Sequence, residues 1–229
     1  MTDIVLDVKN LSIRYKDAAE PVVKDLSFQI RRGEILGLRG HSGKGKSTVV
    51  WALTELLQEY NAVAEGDIRI HGKLLHYDFG EEPRRARTFT WRELALVPQS
   101  SMSAFNPVYT IRRTMLETMS ACGFEGAKEE KEARLHEICR MVRLDPEILS
   151  SYPHELSGGM KQRAAIGLAI MFNPAVLILD EATTGLDILI QAQVLGTILD
   201  LRNRYKMTIL FISHDRQLAE HFCDRQIEL

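Results

Sequence analysis

Gly40-His41-Ser42-Gly43-Lys44-Gly45-Lys46-Ser47-Thr48 fits G-x-x-x-x-G-K-[ST], a loop whose backbone N–H groups can cradle phosphates. Both flanks suit it. Residues 35–38 are an unbroken apolar run, a strand leading straight into Gly40. Residues 46–57 carry Val49, Val50, Leu53, Leu56 and Leu57 at a helical period. Gly40, Gly43 and Gly45 permit backbone angles that turn successive N–H groups inward, and the helix from Lys46 adds its positive dipole end. Lys46 can reach the β and γ phosphates, and the Ser47 hydroxyl can ligate Mg²⁺. A second glycine-rich run, Leu156-Ser157-Gly158-Gly159-Met160, also opens a helical pattern and suggests a second phosphate contact.

Upstream of Gly40, residues 4–8, 11–15 and 22–30 read as short strands, with residues 17–21 and 31–34 as turns. Downstream, residues 68–70 and 94–97 read as further strands. Residues 80–92, with four arginines among polar residues, read as a solvated loop. Between 110 and 151 the period changes. Ile111, Met115 and Met119, then Leu135, Ile138, Cys139 and Val142, form helical stripes, so this is an all-helical insertion with residues 127–132 as its charged face. A helix runs from Gly158 through Met171, and residues 175–179 and 208–213 are unbroken apolar strands of a parallel sheet covered on both faces. Ile190, Val194, Leu195, Ile198 and Leu201 mark another helix, and residues 215–222 begin a last one. The alternation predicts a three-layer α/β core.

Several polar residues stand where such a core places its chemistry. Asp180 and Glu181 end the apolar strand that includes residues 176–179, and strand alternation points them in different directions. One can hold Mg²⁺, and the other can orient and deprotonate an attacking water. Gln99, just past the strand at 94–97, is either a plain loop residue or a sensor of the metal or water. His214, at the end of the 208–213 strand, can contact a γ-phosphate or cap a helix. Tyr15 can stack on a base or simply belong to a sheet.

The 229 residues, 45% hydrophobic and 26% charged, suffice for one domain with a sizeable core. A net charge of −2 gives no bulk attraction to nucleic acid or anionic lipid. Three cysteines without C-x-x-C spacing read as buried thiols in a reducing compartment. The acidic residues flanking the first apolar run argue against a signal peptide, and no apolar stretch approaches the 18 residues of a membrane span. A soluble, cytoplasmic chain is expected.

In their order, Tyr15, residues 40–48, Gln99, LSGGM at 156–160, ILDE at 178–181, the loop 183–187 and His214 resemble the ATPase subunit of ABC transporters from end to end of the chain. The resemblance implies a P-loop NTPase fold of the ABC type, with a RecA-like core, an antiparallel β-subdomain and a helical subdomain. Residues 1–98 and 156–229 would form the core with its β-subdomain, and about 99–155 the Q-loop and helical subdomain that docks a permease. It implies ATP and Mg²⁺ as ligands, with Tyr15 stacking on adenine, residues 40–48 (Gly40, His41, Ser42, Gly43, Lys44, Gly45, Lys46, Ser47, Thr48) as Walker A, and Ser47, Gln99 and Asp180 serving the metal. Glu181 would be the catalytic base, His214 the switch histidine and Asp187 the D-loop aspartate. Ser157, Gly158 and Gly159 would contact ATP held by a second ATPase subunit.

The implied partners are that second subunit, transmembrane permeases and, through the complex, an extracytoplasmic substrate-binding protein. Nucleic acid is not among them. The implied location is the cytoplasmic face of the membrane. LSGGM followed by Lys161-Gln162-Arg163, with SAFNP at 103–107 and SYPHEL at 151–156, is similar to the oligopeptide, dipeptide and nickel importer branch. An ABC ATPase acting on DNA or ribosomes is the alternative. Lys44 stands where the family has a small residue, Ala182 where it has proline and Gly185 where it has alanine. The family's C-terminal strands beyond residue 229 are expected to be missing.

Overall fold

The computed structural model describes residues 3–41, 43–79, 89–101 and 105–229. Ser42, Ser103, Ala104 and most of the arginine-rich stretch (80–88) lie outside the described residues. In chain order come β1 (Ile4–Tyr15), β2 (Val23–Arg31), β3 (Ile35–Arg39), α1 (Lys46–Leu53), β4 (Ala62–Ile70), β5 (Lys73–Tyr77) and β6 (Leu94–Val97). There follow α2 (Ile111–Ala121), α3 (Lys128–Met141), α4 (Gly158–Ala169), β7 (Val176–Asp180), α5 (Ile188–Tyr205), β8 (Thr208–Ile212), α6 (Arg216–Phe222) and β9 (Arg225–Glu228).

Two sheets carry the chain. One is antiparallel, in the order β2-β1-β4-β5, and the other parallel, in the order β6-β7-β8-β3-β9. The unbroken apolar runs of the parallel strands follow from their burial on both faces. In β7, Val176 and Ile178 face a core shared with α1 and the antiparallel sheet, while Leu177 and Leu179 face a core shared with α2, α3, α4 and α5. The period-2 alternation thus divides one apolar strand between two cores. Among the described residues no helix is long and apolar enough to cross a membrane.

Most predicted elements are present, with instructive differences. The two strands expected at 4–8 and 11–15 are a single strand, irregular in register around Asn10, whose φ is +50°. Asparagine tolerates this left-handed backbone, and the facing Gly66 leaves room for it: a Cβ there would lie 2.6 Å from the Asn10 carbonyl oxygen. β4 begins at Ala62 rather than at 68, because pairing with β1 overrides the weak strand propensity of its Ala, Glu and Gly residues. β5 was not predicted. It closes a hairpin through His71 and Gly72, both at positive φ. The helix expected over 46–57 stops at Leu53, and the chain re-forms as a 3-10 turn at Leu57–Tyr60 beyond Glu55, which sits at φ +57°. The helical insertion comprises α2 and α3. Of the three cysteines only Cys139 is fully buried; burial pushes its pKa up to about 11 and that of the half-buried Cys223 up to about 12.

Candidate functional site: the carboxyl ends of the parallel strands

The carboxyl ends of β3, β6, β7 and β8 bring Gly40, Gln99, Glu181 and His214 to one edge of the sheet, where parallel α/β sheets place their ligands. The loop from β3 to α1 is built on glycines for two separate reasons. Gly43 and Gly45 hold φ of +83° and +91°, values that L side chains rarely adopt. At Gly45 a Cβ would also lie only 2.6 Å from Val23 Cγ2, because β2 packs against the loop. Gly45 is the N-cap of α1 and offers no side chain to its first amides, which leaves them directed at whatever the loop encloses.

The Lys46 side chain is buried, and its ammonium donates to the carbonyls of Gly40 (2.8 Å) and His41 (3.2 Å). It therefore lies across the mouth of the loop rather than in solvent. The Lys44 N–H donates to the His41 carbonyl at 3.2 Å, while the Lys44 side chain is exposed. Its backbone takes part in the turn, and its charge is free to sit in water. His41 and Ser47 are exposed as well, and Thr48 is buried. Tyr15, at the end of β1, reaches Thr48 Oγ1 with its hydroxyl at 3.4 Å. This contact holds a partly exposed aromatic ring beside the loop although the two residues lie 33 positions apart. Uncapped amides, an enclosed lysine and positive-φ glycines together fit a polyphosphate.

The carboxylate pair lies next to this loop. Asp180 ends β7 on the α1 side and is half-buried. Burial, reinforced by the neighbouring Glu181 charge and opposed by Lys46, pushes its pKa up to about 6. A carboxylate made costly in this way favours a cation partner. Glu181 diverges from Asp180 by a different means from the expected alternation. The strand has already ended, and Glu181 adopts φ +49° with its N–H donating to the Ile212 carbonyl of β8 at 3.0 Å. Its side chain is the centre of a small cluster. Gln99 Nε2 donates to Glu181 Oε2 at 2.9 Å, and His214 Nδ1 lies 3.4 Å from Glu181 Oε1. Gln99 and His214, ambiguous singly in the sequence, thus converge on one carboxylate.

The second glycine-rich run serves helix α4. Ser157 is the N-cap and its hydroxyl accepts from the Met160 N–H at 3.3 Å. Ser157 and Gly158 are exposed, whereas Gly159 is buried, and a Cβ there would strike Ile190 Cγ2 at 2.5 Å. Gly159 thus has a packing role, the close approach of α4 and α5, that its place in the motif did not reveal. Among the described residues, Ser157, Gly158 and Gly159 make no hydrogen bond or ion pair with the phosphate loop, Asp180, Glu181 or His214. Asp187 caps α5, accepting from the N–H groups of Leu189 (3.1 Å) and Ile190 (3.0 Å). Val23 and Ile190, which shape the two glycine positions, carried no sequence signal beyond apolarity.

A model of the ABC transporter family matches residues 23–184. The dipeptide transport ATP-binding protein DppD of Caldanaerobacter subterraneus subsp. tengcongensis is 36% identical over 225 residues, spanning 97% of this chain and 68% of that protein. The probable peptide ABC transporter ATP-binding protein y4tR of Sinorhizobium fredii is 36% identical over 230 residues, spanning 98% of this chain and 68% of that protein. Among solved structures, the dimeric bacterial ABC transporter cassette MJ0796 superposes with a TM-score of 0.77 at 24% identity, covering 98% of this chain and 94% of that one.

Proposed function

This chain belongs to the ABC transporter family, and from that membership and its site we infer that it is the ATP-binding, ATP-hydrolysing subunit of an importer for peptides. The observation that carries the reading is the convergence of Gln99 and His214 on Glu181 beside a glycine-built phosphate loop. Peptides are the substrate class of the relatives compared above. Nickel, and the alternative of an ATPase acting on nucleic acid, gain no support from them.

In this reading Gly40 to Thr48, with Ser42, enclose the phosphates, and Lys46 turns from the Gly40 and His41 carbonyls to meet them. Tyr15 presents its ring to the base. Ser47, Asp180 and Gln99 serve Mg²⁺, which when bound offsets the charge of the phosphates. Glu181 takes a proton from the attacking water as the bond to the leaving ADP breaks, and His214 holds Glu181 and senses the γ-phosphate. For that, Gln99 must release the carboxylate oxygen it now occupies.

Ser157, Gly158 and Gly159, which among the described residues make no hydrogen bond with their own loop, serve the nucleotide of a second ATPase subunit, and Asp187 lies at the same interface. A dimer is therefore the working unit, in keeping with the dimeric MJ0796 cassette. Residues 1–98 and 156–229 form the catalytic core with its antiparallel subdomain, and 99–155 form the helical subdomain that meets the permease. With no helix able to cross a bilayer among the described residues, attachment to the cytoplasmic face runs through permease subunits. An extracytoplasmic binding protein delivers the peptide to the complex.

The experiment is Glu181→Gln. Phosphate release should fall by about 10²–10⁴-fold, with ATP binding measured by equilibrium dialysis unchanged. Hydrolysis at the wild-type rate would show that Glu181 is not the base.

A further inference from the structure

The structure assigns a positioning role to a buried pair outside the set above: Ser101 and Gln162 clamp the segment carrying Gln99 to the helix carrying Ser157–Gly159. The inference rests on the ATPase reading. Ser101 lies two residues beyond Gln99, and its N–H closes a turn onto the Pro98 carbonyl at 3.0 Å. Gln162 lies in the second turn of α4, five residues beyond Ser157. The Ser101 hydroxyl donates to Gln162 Oε1 at 2.8 Å across 61 residues of sequence. The two residues are only 1% and 2% exposed, so water does not compete for the bond.

The remaining polar atom of the amide, Gln162 Nε2, is buried without a hydrogen-bond partner among the described residues. A side chain chosen only for stability at this place would be apolar, because an unpaired buried donor is unfavourable. Around the pair the setting is apolar. Ser101 lines a cavity of about 70 Å³ together with Val97, Phe105, Ala165 and Ala169. One directional bond in an apolar contact fixes register rather than strength. The register it fixes is that of Gln99, which holds Glu181, against Ser157, the cap of α4.

The test is a double-mutant cycle with Ser101→Ala, Gln162→Met and both together, read in parallel by thermal melting and by steady-state ATP hydrolysis. Both single variants should lose about ten-fold in kcat with the KM for ATP unchanged, since neither residue touches the phosphate loop. The double variant should lose no more than either single one. Removing both polar partners relieves the unpaired groups, so the double variant should melt at or above the temperature of Ser101→Ala. A merely structural pair would instead recover kcat together with stability. Ser101→Thr keeps the hydroxyl and has the cavity for its methyl group, so it should retain wild-type kcat. Wild-type kcat in Ser101→Ala and Gln162→Met, additive losses, or recovery in the double variant would each overturn the clamp. Absence of ATP hydrolysis in the wild-type chain would remove the ATPase reading, and the clamp with it.

Discussion

Replacing Asp180 with asparagine should stabilise the nucleotide-free protein, most fully above about pH 6. The folded protein raises the Asp180 pKa from 3.8 to about 6, first by burial and then by the adjacent Glu181, while Lys46 pulls the other way. For an acid with a raised folded-state pKa, the folded protein binds its proton more tightly than the unfolded chain does. The charged form is therefore a burden on the fold above pH 6. That burden fades as pH falls from 6 towards 3.8 and is gone below both values. A shift of this size corresponds to about 3 kcal/mol at full value. Asp180 is half-buried, and solvent screening brings the expected effect to about 1–2 kcal/mol.

Asparagine preserves the shape and removes the titration. For a chain of this length the gain corresponds to about 3–6 °C in melting temperature. Melting curves of both proteins in EDTA, from pH 8 down to pH 4.5, provide the assay. The asparagine variant should melt higher at pH 7–8, and the two curves should approach each other towards pH 4.5. Equal stability at pH 8, or a gap that does not change with pH, would refute the account of Asp180 as a carboxylate held charged against its surroundings.

Gly45→Ala should lose about 2–5 kcal/mol, from the positive φ and from the 2.6 Å approach to Val23. Urea denaturation measures it, and adding Val23→Ala should restore the packing part but not the backbone part. Asp187→Ala should lose about 1 kcal/mol through the cap of α5, while Asp187→Ser keeps most of the stability; an alanine variant as stable as wild type would rule out the capping role.

Much of the fold was legible because its strongest signals are local. The β3 run into Gly40, the apolar β7 and β8 strands and the stripes of α2 to α5 each declare themselves within about a dozen residues. The antiparallel sheet was less legible. β4 is poor in strand-forming residues and exists through its pairing with β1, and β5 is too short and mixed to announce itself without the His71–Gly72 turn. At the site, the phosphate loop and the Asp180–Glu181 pair were readable from their own spacing. Gln99 and His214 were not readable from their own residues, since a lone loop glutamine and a lone strand-end histidine look the same whether or not they act; the ordered set of motifs that resembles ABC ATPases singled them out.

By itself, the amino-acid sequence determined which segments are strands and helices in the parallel core, where the phosphate loop lies and which residues can bear charge. Those properties depend on neighbours a few positions away. Only the tertiary structure decided that Gln99, 82 residues from Glu181, donates to it, that Ser101 is bonded to Gln162, and that Gly45 and Gly159 are glycines because Val23 and Ile190 press against them. Such contacts arise when distant strand ends are brought to one sheet edge and helices are packed to van der Waals distance. No local pattern encodes the partner found there.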